Sequence, residues 1–516
     1  MNSLKKLALG ATALAFGAAL AALPAQAQMQ DKTLRIGAWD LAPSEGNPYF
    51  GIGTPSVFSW TPMFDMLTFV ETDGNPTPAL AESWQNVDAT TWRFKLRPDV
   101  RFHNGEPFTA EAVINSWKWL QTEEGKTKGS SASSRTKFIA DIVAVDDLTI
   151  EIKTAKPNPI TPADMSVMMV VAPKAWADLG VDGFAKNPSG TGSYKYVSWQ
   201  DDSKAVFEAV TDTWRPARIK HLEVYDLRER QPRMQALLSG QLDVALGATP
   251  DDMATLEAGG MKIDITAGSQ VLTWGITQAN AAEGVNIEPF KDKRVRQALN
   301  YAVNKQAMAD GLLAGVGGEA TGSGVPPTAF GHNPNVRPYP YDPDKARALL
   351  KEANFPMDME IAINVVPGAF PADSEIFQQT AADLANVGLN VKVEVITFGD
   401  WIKKFFPVGW PSAMWHNLWN AAPVMDATTS ILNQSCGKGG KPYLCDDKQQ
   451  AMLDAASNEF DPEKRKKILQ DLIALQNEEA VNLFLIAYNN LHAYTPNLEG
   501  FRNVNQTIMY HEMSFK

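Results

Sequence analysis

Two tryptophans, two asparagines and a histidine fall within seven residues in Met414-Trp-His-Asn-Leu-Trp-Asn420. Alternation along a strand would put Trp415, Asn417 and Trp419 on one face and His416 on the other. Indole rings supply stacking area and carboxamides supply directional hydrogen bonds, a combination suited to holding a small molecule. A strand with one face in a core would alternate in the same way. Trp39-Asp40 closes an alternating stretch near the start of the chain, and Trp274 lies in Val271-Leu-Thr-Trp-Gly-Ile-Thr277. The chain has 14 Trp, more than packing usually demands. Trp39, Asp40, Trp274, Trp415, Asn417, Trp419 and Asn420 are therefore candidate ligand contacts.

Catalytic chemistry leaves no comparable trace. The chain has no Gly-x-Ser-x-Gly elbow, no HExxH, no GxxxxGK[ST] and no GxGxxG after a strand. Ser189-Gly-Thr-Gly-Ser-Tyr194 is rich in glycine but lacks a lysine and a following helix, so a tight turn is expected. The six histidines, at 103, 221, 332, 416, 492 and 511, show no metal-ligand spacing. No enzyme activity, cofactor or metal site is expected. The formal net charge of −12 repels phosphate backbones, which argues against nucleic acid as a partner.

Residues 1–27 read as a secretory signal. Lys5 and Lys6 form the basic region, Leu7 to Leu23 an uncharged apolar run, and Ala25-Gln26-Ala27 a small-x-small cleavage site. As a membrane anchor the same run would sit at the short limit for spanning a bilayer. No Cys follows the cleavage site, so no lipid anchor is expected. Loss of the two lysines takes the net charge to −14. Export places Cys436 and Cys445 in an oxidising compartment, where CGKGGKPYLC can close a disulfide; two free, buried thiols are the alternative.

The elements that position these residues alternate between two periods. Strands are expected at Thr33–Trp39, Thr91–Arg97, Leu148–Ile152 and Gly388–Ile396. Helices are expected at Thr109–Leu120 with Thr109 as N-cap, and at Asp292–Ala309, Asp342–Ala353, Ala372–Val387 and Pro462–Glu478. The mixture is α/β or α+β. A length of 516 residues suggests about three structural units. Arg294 and Arg296 beside Asp292 read as a solvated ion-pair face.

Four stretches carry a resemblance. They are Pro78-Ala-Leu-Ala-Glu-Ser-Trp84 with TWRFKLRPDVRFHNGEPFTAEAVINSW (91–117), Asn187-Pro-Ser-Gly-Thr-Gly-Ser-Tyr-Lys195, PFKDKRVRQALNYAVN (289–304) and YDPDKARALLKEA (341–353). Together they resemble family 5 of the bacterial extracellular solute-binding proteins, the oligopeptide-, dipeptide- and nickel-binding components of ABC importers. The resemblance implies an α/β, two-lobed periplasmic-binding-protein fold with a hinge. Lobe 1 would comprise 28–63, 186–272 and 489–516, an inserted domain 64–185, and lobe 2 273–488. It implies a periplasmic, monomeric receptor that closes on a short peptide or peptide-like molecule and presents it to a membrane permease. An opine-like compound or a nickel chelate is the alternative cargo, though His416 is the only histidine in the expected site. An enzyme or chaperone on the same scaffold is the remaining alternative.

The resemblance also implies an ammonium-binding Asp just after a Gly-Trp strand end. Trp419 matches that Trp, but Leu418 replaces the Gly, and Ala421 and Ala422 stand where the Asp would be. Asp426 aligns with a later Asp-Pro pair whose Pro is Ala427 here. A closed cleft cannot cheaply hold an ammonium without its carboxylate. Either Asp426 or another carboxylate substitutes, or the ligand is not a free-amine peptide. On this resemblance Asp426 joins the candidate contacts.

Overall fold

Alternating burial along Gln30–Ala38, with Leu34, Ile36 and Ala38 wholly buried, marks the strand at the centre of one half of the molecule. The computed structural model describes residues 29–43, 45–50, 54–200, 203–400, 409–432, 436 and 442–516. Gln30–Ala38 pairs in parallel with Ile219–Asp226 and Val244–Leu246. Lys204–Ala209 and Tyr194–Gln200 continue the sheet antiparallel on the far side of Ile219–Asp226. In the other half, Met414–Asn420 lies between Glu360–Val365 and Lys262–Ile276, and Asn390–Val395 forms the edge.

Two long strands join the halves. Lys262–Ile276, of 15 residues, runs antiparallel to Asn482–Tyr494, of 13; the first also pairs with Met414–Asn420 of one half and the second with Val244–Leu246 of the other. Their register runs from Lys262 opposite Tyr494 to Ala267 opposite Asn489, breaks, and resumes at Val271 opposite Ala487. Gly268 sits in the break. A Cβ there would lie 2.5 Å from the Tyr488 carbonyl oxygen, so only glycine lets the strands approach this closely.

A separate four-stranded antiparallel sheet, ordered Ala81–Asp88, Thr91–Leu96, Thr149–Thr154, Ile139–Asp146, packs under the helix Ala110–Gln121. Phe94, Leu96, Val113 and Trp117 share one core with Leu34, Ile36 and Phe207 of the first half. A second core surrounds Trp274, Phe290, Leu299, Ile363 and Phe377. A third crosses the boundary: Val70 and Ala163 pack with Val424, Met425 and Leu469.

Four sequence expectations change or gain detail. The helix expected over Asp292–Ala309 is two helices, Lys293–Ala302 and Lys305–Leu312. Val303 is extended between them, and the Asn304 side chain caps the second by accepting from the Ala307 amide. Thr109 occupies the N-cap of Ala110–Gln121, but its side chain makes no capping bond. Arg294 does form an exposed pair with Asp292. Arg296, in contrast, is buried and donates to the carbonyls of Phe290, Lys291 and Glu479. The Gly-rich Ser189–Tyr194 stretch docks against Pro62 and Met63, whose carbonyls accept from the Tyr194 and Gly192 amides.

A disulfide joins Cys436 to Cys445. The candidate signal, 1–27, lies outside the described residues. Among those described, no helix is long and apolar enough to cross a membrane.

Candidate functional site

Two cavities open where the halves meet. The larger, about 280 Å³, is walled by Trp39, Arg233 and Thr249 on one side and by Phe370, Tyr488 and Asn490 on the other. Phe370 and Tyr488 stack with centroids 4.7 Å apart, forming an aromatic wall. Arg233 lies 6.0 Å from the Trp39 ring centroid and donates to the carbonyls of Leu227 and Leu246. Burial pushes its guanidinium down to about 10, and the carbonyls use up its donors.

The second cavity, about 180 Å³, is lined by Trp60, Thr61, Arg135 and Ser166 from one side and by Asn420 and Pro423 from the other. Asn505 and Thr507 reach into it from the C-terminal segment. Asn505 is held by two hydrogen bonds from its Nδ2, to the carbonyls of Val70 and Glu71. Asn420 ends the strand Met414–Asn420, and its Oδ1 accepts from the Ala422 amide at 2.9 Å. Trp39 and Asn420 are thus the two sequence candidates whose residues line a cavity.

The others are placed elsewhere, for identifiable reasons. Trp274 is fully buried beside Phe377 in the second core. Trp415 and Trp419 project from the opposite sheet face into a cluster with Trp410 and Tyr443. Trp415 stacks on Trp410 at 4.4 Å and meets Tyr443 edge-on at 5.1 Å. Trp419 lies parallel to the same tyrosine at 6.4 Å. Both indoles are buried while His416, Asn417 and Leu418 between them are half-buried, so these rings fill core volume. Asn417 is half-buried on the same strand and lines neither cavity. Asp40 is half exposed, accepts from the Leu41 amide and lies 3.7 Å from Arg228.

Asp426 is engaged within the fold. Both its oxygens are taken by Arg465, at 2.6 and 2.8 Å, and Oδ1 also accepts from the Thr428 amide. The ion pair and these hydrogen bonds outweigh burial and hold its carboxyl below the usual range. It caps the helix Ala427–Ile431. Asp164, at the end of Thr161–Asp164, is close enough to this pair to feel both charges. Burial pushes the Asp164 carboxyl up to about 7, against a single bond from Asn158 Nδ2.

His416 accepts from the Val366 amide at 3.1 Å, and burial pushes its ring down to about 4. It packs on Phe377, away from both cavities. Among the described residues no group of three His, Cys, Asp or Glu side chains could hold a metal ion.

Sequence reasoning missed Arg135, Phe370, Tyr488 and Asn505. None sits in a pattern distinguishable from ordinary helix, turn or core.

The family model for bacterial extracellular solute-binding proteins, family 5 Middle, matches residues 75–441. The chain is 29% identical over 418 residues to the dipeptide-binding protein of Escherichia coli (strain K12), covering 76% of this chain and 77% of that one. The structure of HbpA2 from Haemophilus parasuis superposes with a TM-score of 0.83 at 20% identity, over 94% of this chain and all of that one. The DppA periplasmic binding protein of Helicobacter pylori, in complex with the peptide STSA, superposes at 0.72 with 21% identity, over 94% and 98%. The chain belongs to family 5 of the bacterial extracellular solute-binding proteins.

Proposed function

We propose that the protein is a periplasmic receptor that captures a short peptide or peptide-like molecule and hands it to the permease of an ABC importer. The observation that carries this reading is the pair of cavities flanking the two long strands that connect the halves. A solute bound there would touch both halves, so it would favour the arrangement in which they are together. The dipeptide-binding relative and the peptide-bound neighbour support a peptide-like cargo.

On this reading lobe 1 is 28–63, 186–272 and 489–516, the inserted domain 64–185 and lobe 2 273–488. The register break at Gly268 falls within a few residues of those edges. Trp39 and Asn420 contact the ligand, binding is the whole activity, and the mature receptor acts as a monomer.

The test is mass spectrometry of what co-purifies with the full chain, followed by thermal shift with di- and tripeptide pools. Stabilisation by peptides, with the compound recovered unchanged, is the expected result. Recovery of a converted compound, or stabilisation only by metal chelates, would overturn it.

A further inference from the structure

The cavity beside Asn420 contains a charge that the fold does not use. Arg135 lies on the helix Ser130–Thr136 and is half-buried at the cavity wall. Among the described residues its guanidinium has no hydrogen bond and no ion pair. The other arginines packed at the boundary are committed: Arg465 to Asp426, Arg233 to backbone carbonyls, Arg215 to Asp65. Burial lowers the pKa of Arg135, and the charge of Asp164 opposes it.

Among the described residues no carboxylate lines this cavity. Asn420, Ala422 and Pro423 form the wall facing Arg135, and Asp426 beyond them is closed by Arg465. An ammonium entering here would find carbonyl and amide oxygens but no counter-charge. A carboxylate would find a guanidinium whose donor fork matches its two oxygens. A partly dehydrated cation with no protein partner gains most from an anion brought by the ligand.

Building on the reading of this chain as a receptor for peptide-like solutes, we propose that Arg135 is a specificity-determining residue that takes a ligand carboxylate. The preferred ligands are carboxylates whose amine is blocked or missing, such as N-acylated peptides.

The experiment is isothermal titration of the full mature chain with three probe sets: N-acetyl dipeptides, dipeptide amides, and the non-peptide dicarboxylate succinate. N-acetyl dipeptides are expected to bind better than dipeptide amides. Arg135→Gln should bind them roughly 10- to 100-fold more weakly, as loss of a charge-assisted pair implies, and Arg135→Lys should fall between. The melting temperature of Arg135→Gln should stay near that of the wild type, because among the described residues Arg135 has no hydrogen bond or ion pair. Preference for the amides, or unchanged affinity in Arg135→Gln, overturns the proposal and leaves peptide capture standing. Binding of succinate alone, weakened in Arg135→Gln, supports the role of Arg135 and removes the peptide reading. Binding of none of the three overturns both.

Discussion

Asp426 and Asp164 lie within electrostatic reach of each other at the boundary between the halves, and their surroundings push them in opposite directions. Asp426 receives two bonds from Arg465 and two from Thr428, and its pKa is lowered. Asp164 receives one neutral bond from Asn158, feels the negative charge of Asp426, and is raised to about 7. Burial is common to both, so partner number and charge decide the outcome. One side of this boundary is therefore locked by electrostatics. The other is left soft, beside Arg135, which among the described residues has no hydrogen bond or ion pair.

Breaking the locked side should have the largest effect. Asp426→Ala leaves the Arg465 guanidinium buried without its counter-ion and should lower stability by about 3–5 kcal/mol in urea unfolding. Replacing both partners, as Asp426→Leu with Arg465→Met, should lose much less, because no charge is stranded. If the double variant loses as much as the single, the ion pair is not what holds this region.

The aromatic cluster behind Met414–Asn420 sharpens the same contrast between structure and site. Trp419→Ala should destabilise by about 3 kcal/mol through the cavity it leaves in the core. Once folded, it should bind the co-purified ligand as tightly as wild type. Trp39→Ala should do the reverse, weakening binding more than stability. Equal losses of affinity in the two variants would put Trp419 back at the ligand.

Next in size is the disulfide near the cluster. Cys436–Cys445 spans nine residues of sequence, and Tyr443 within it donates to Asn482 Oδ1 at 2.8 Å beneath the indoles. Replacing both cysteines by serine should lower stability by roughly 2–3 kcal/mol on the chain-entropy account. Denaturation midpoints with and without reductant check it: the serine variant should not respond to reductant, and the wild type should.

Much of the scaffold was legible in sequence because its signals are local. Alternation marked strands at Thr33–Trp39 and Thr91–Arg97, which form as Gln30–Ala38 and Thr91–Leu96, and the helix expected at Pro462–Glu478 is present with Asp461 as its N-cap. The Lys293–Leu312 break was missed because Asn304 reads equally well inside a helix or as a cap. The site was less legible, since its walls bring together residues near 60, 135, 166, 420 and 505. Nothing local separates a tryptophan that faces a cleft from one that faces a core. Trp415 and Trp419 alternate correctly and are buried all the same, because Tyr443 and Leu444 pack in one core with them. Nor does spacing show that Asp426 will meet Arg465, 39 residues away.

The softer carboxylate yields the smallest effect, and the one with a distinctive sign. The folded value of Asp164 is about 7 and its ordinary value 3.8, so the native state holds this proton after the unfolded chain has released it. Its contribution is thus neutral below about pH 4, grows unfavourable as pH rises toward 7, and levels off above. Asp426 runs the other way, contributing stability above its unfolded value that is lost as pH falls through its lowered folded one. Buried His416, pushed down to about 4, also loses stability in acid, below the ordinary histidine value of 6.5. The wild-type profile sums these terms, so only a difference isolates Asp164. Asp164→Asn keeps a side-chain oxygen to accept from Asn158 and removes the charge beside Asp426. Its stability relative to wild type should therefore be greater at pH 8 than at pH 5, measured by urea unfolding at both. A difference that is the same at the two pH values would mean that Asp164 is ionised throughout, with Arg465 or Arg135 holding it as firmly as Arg465 holds Asp426.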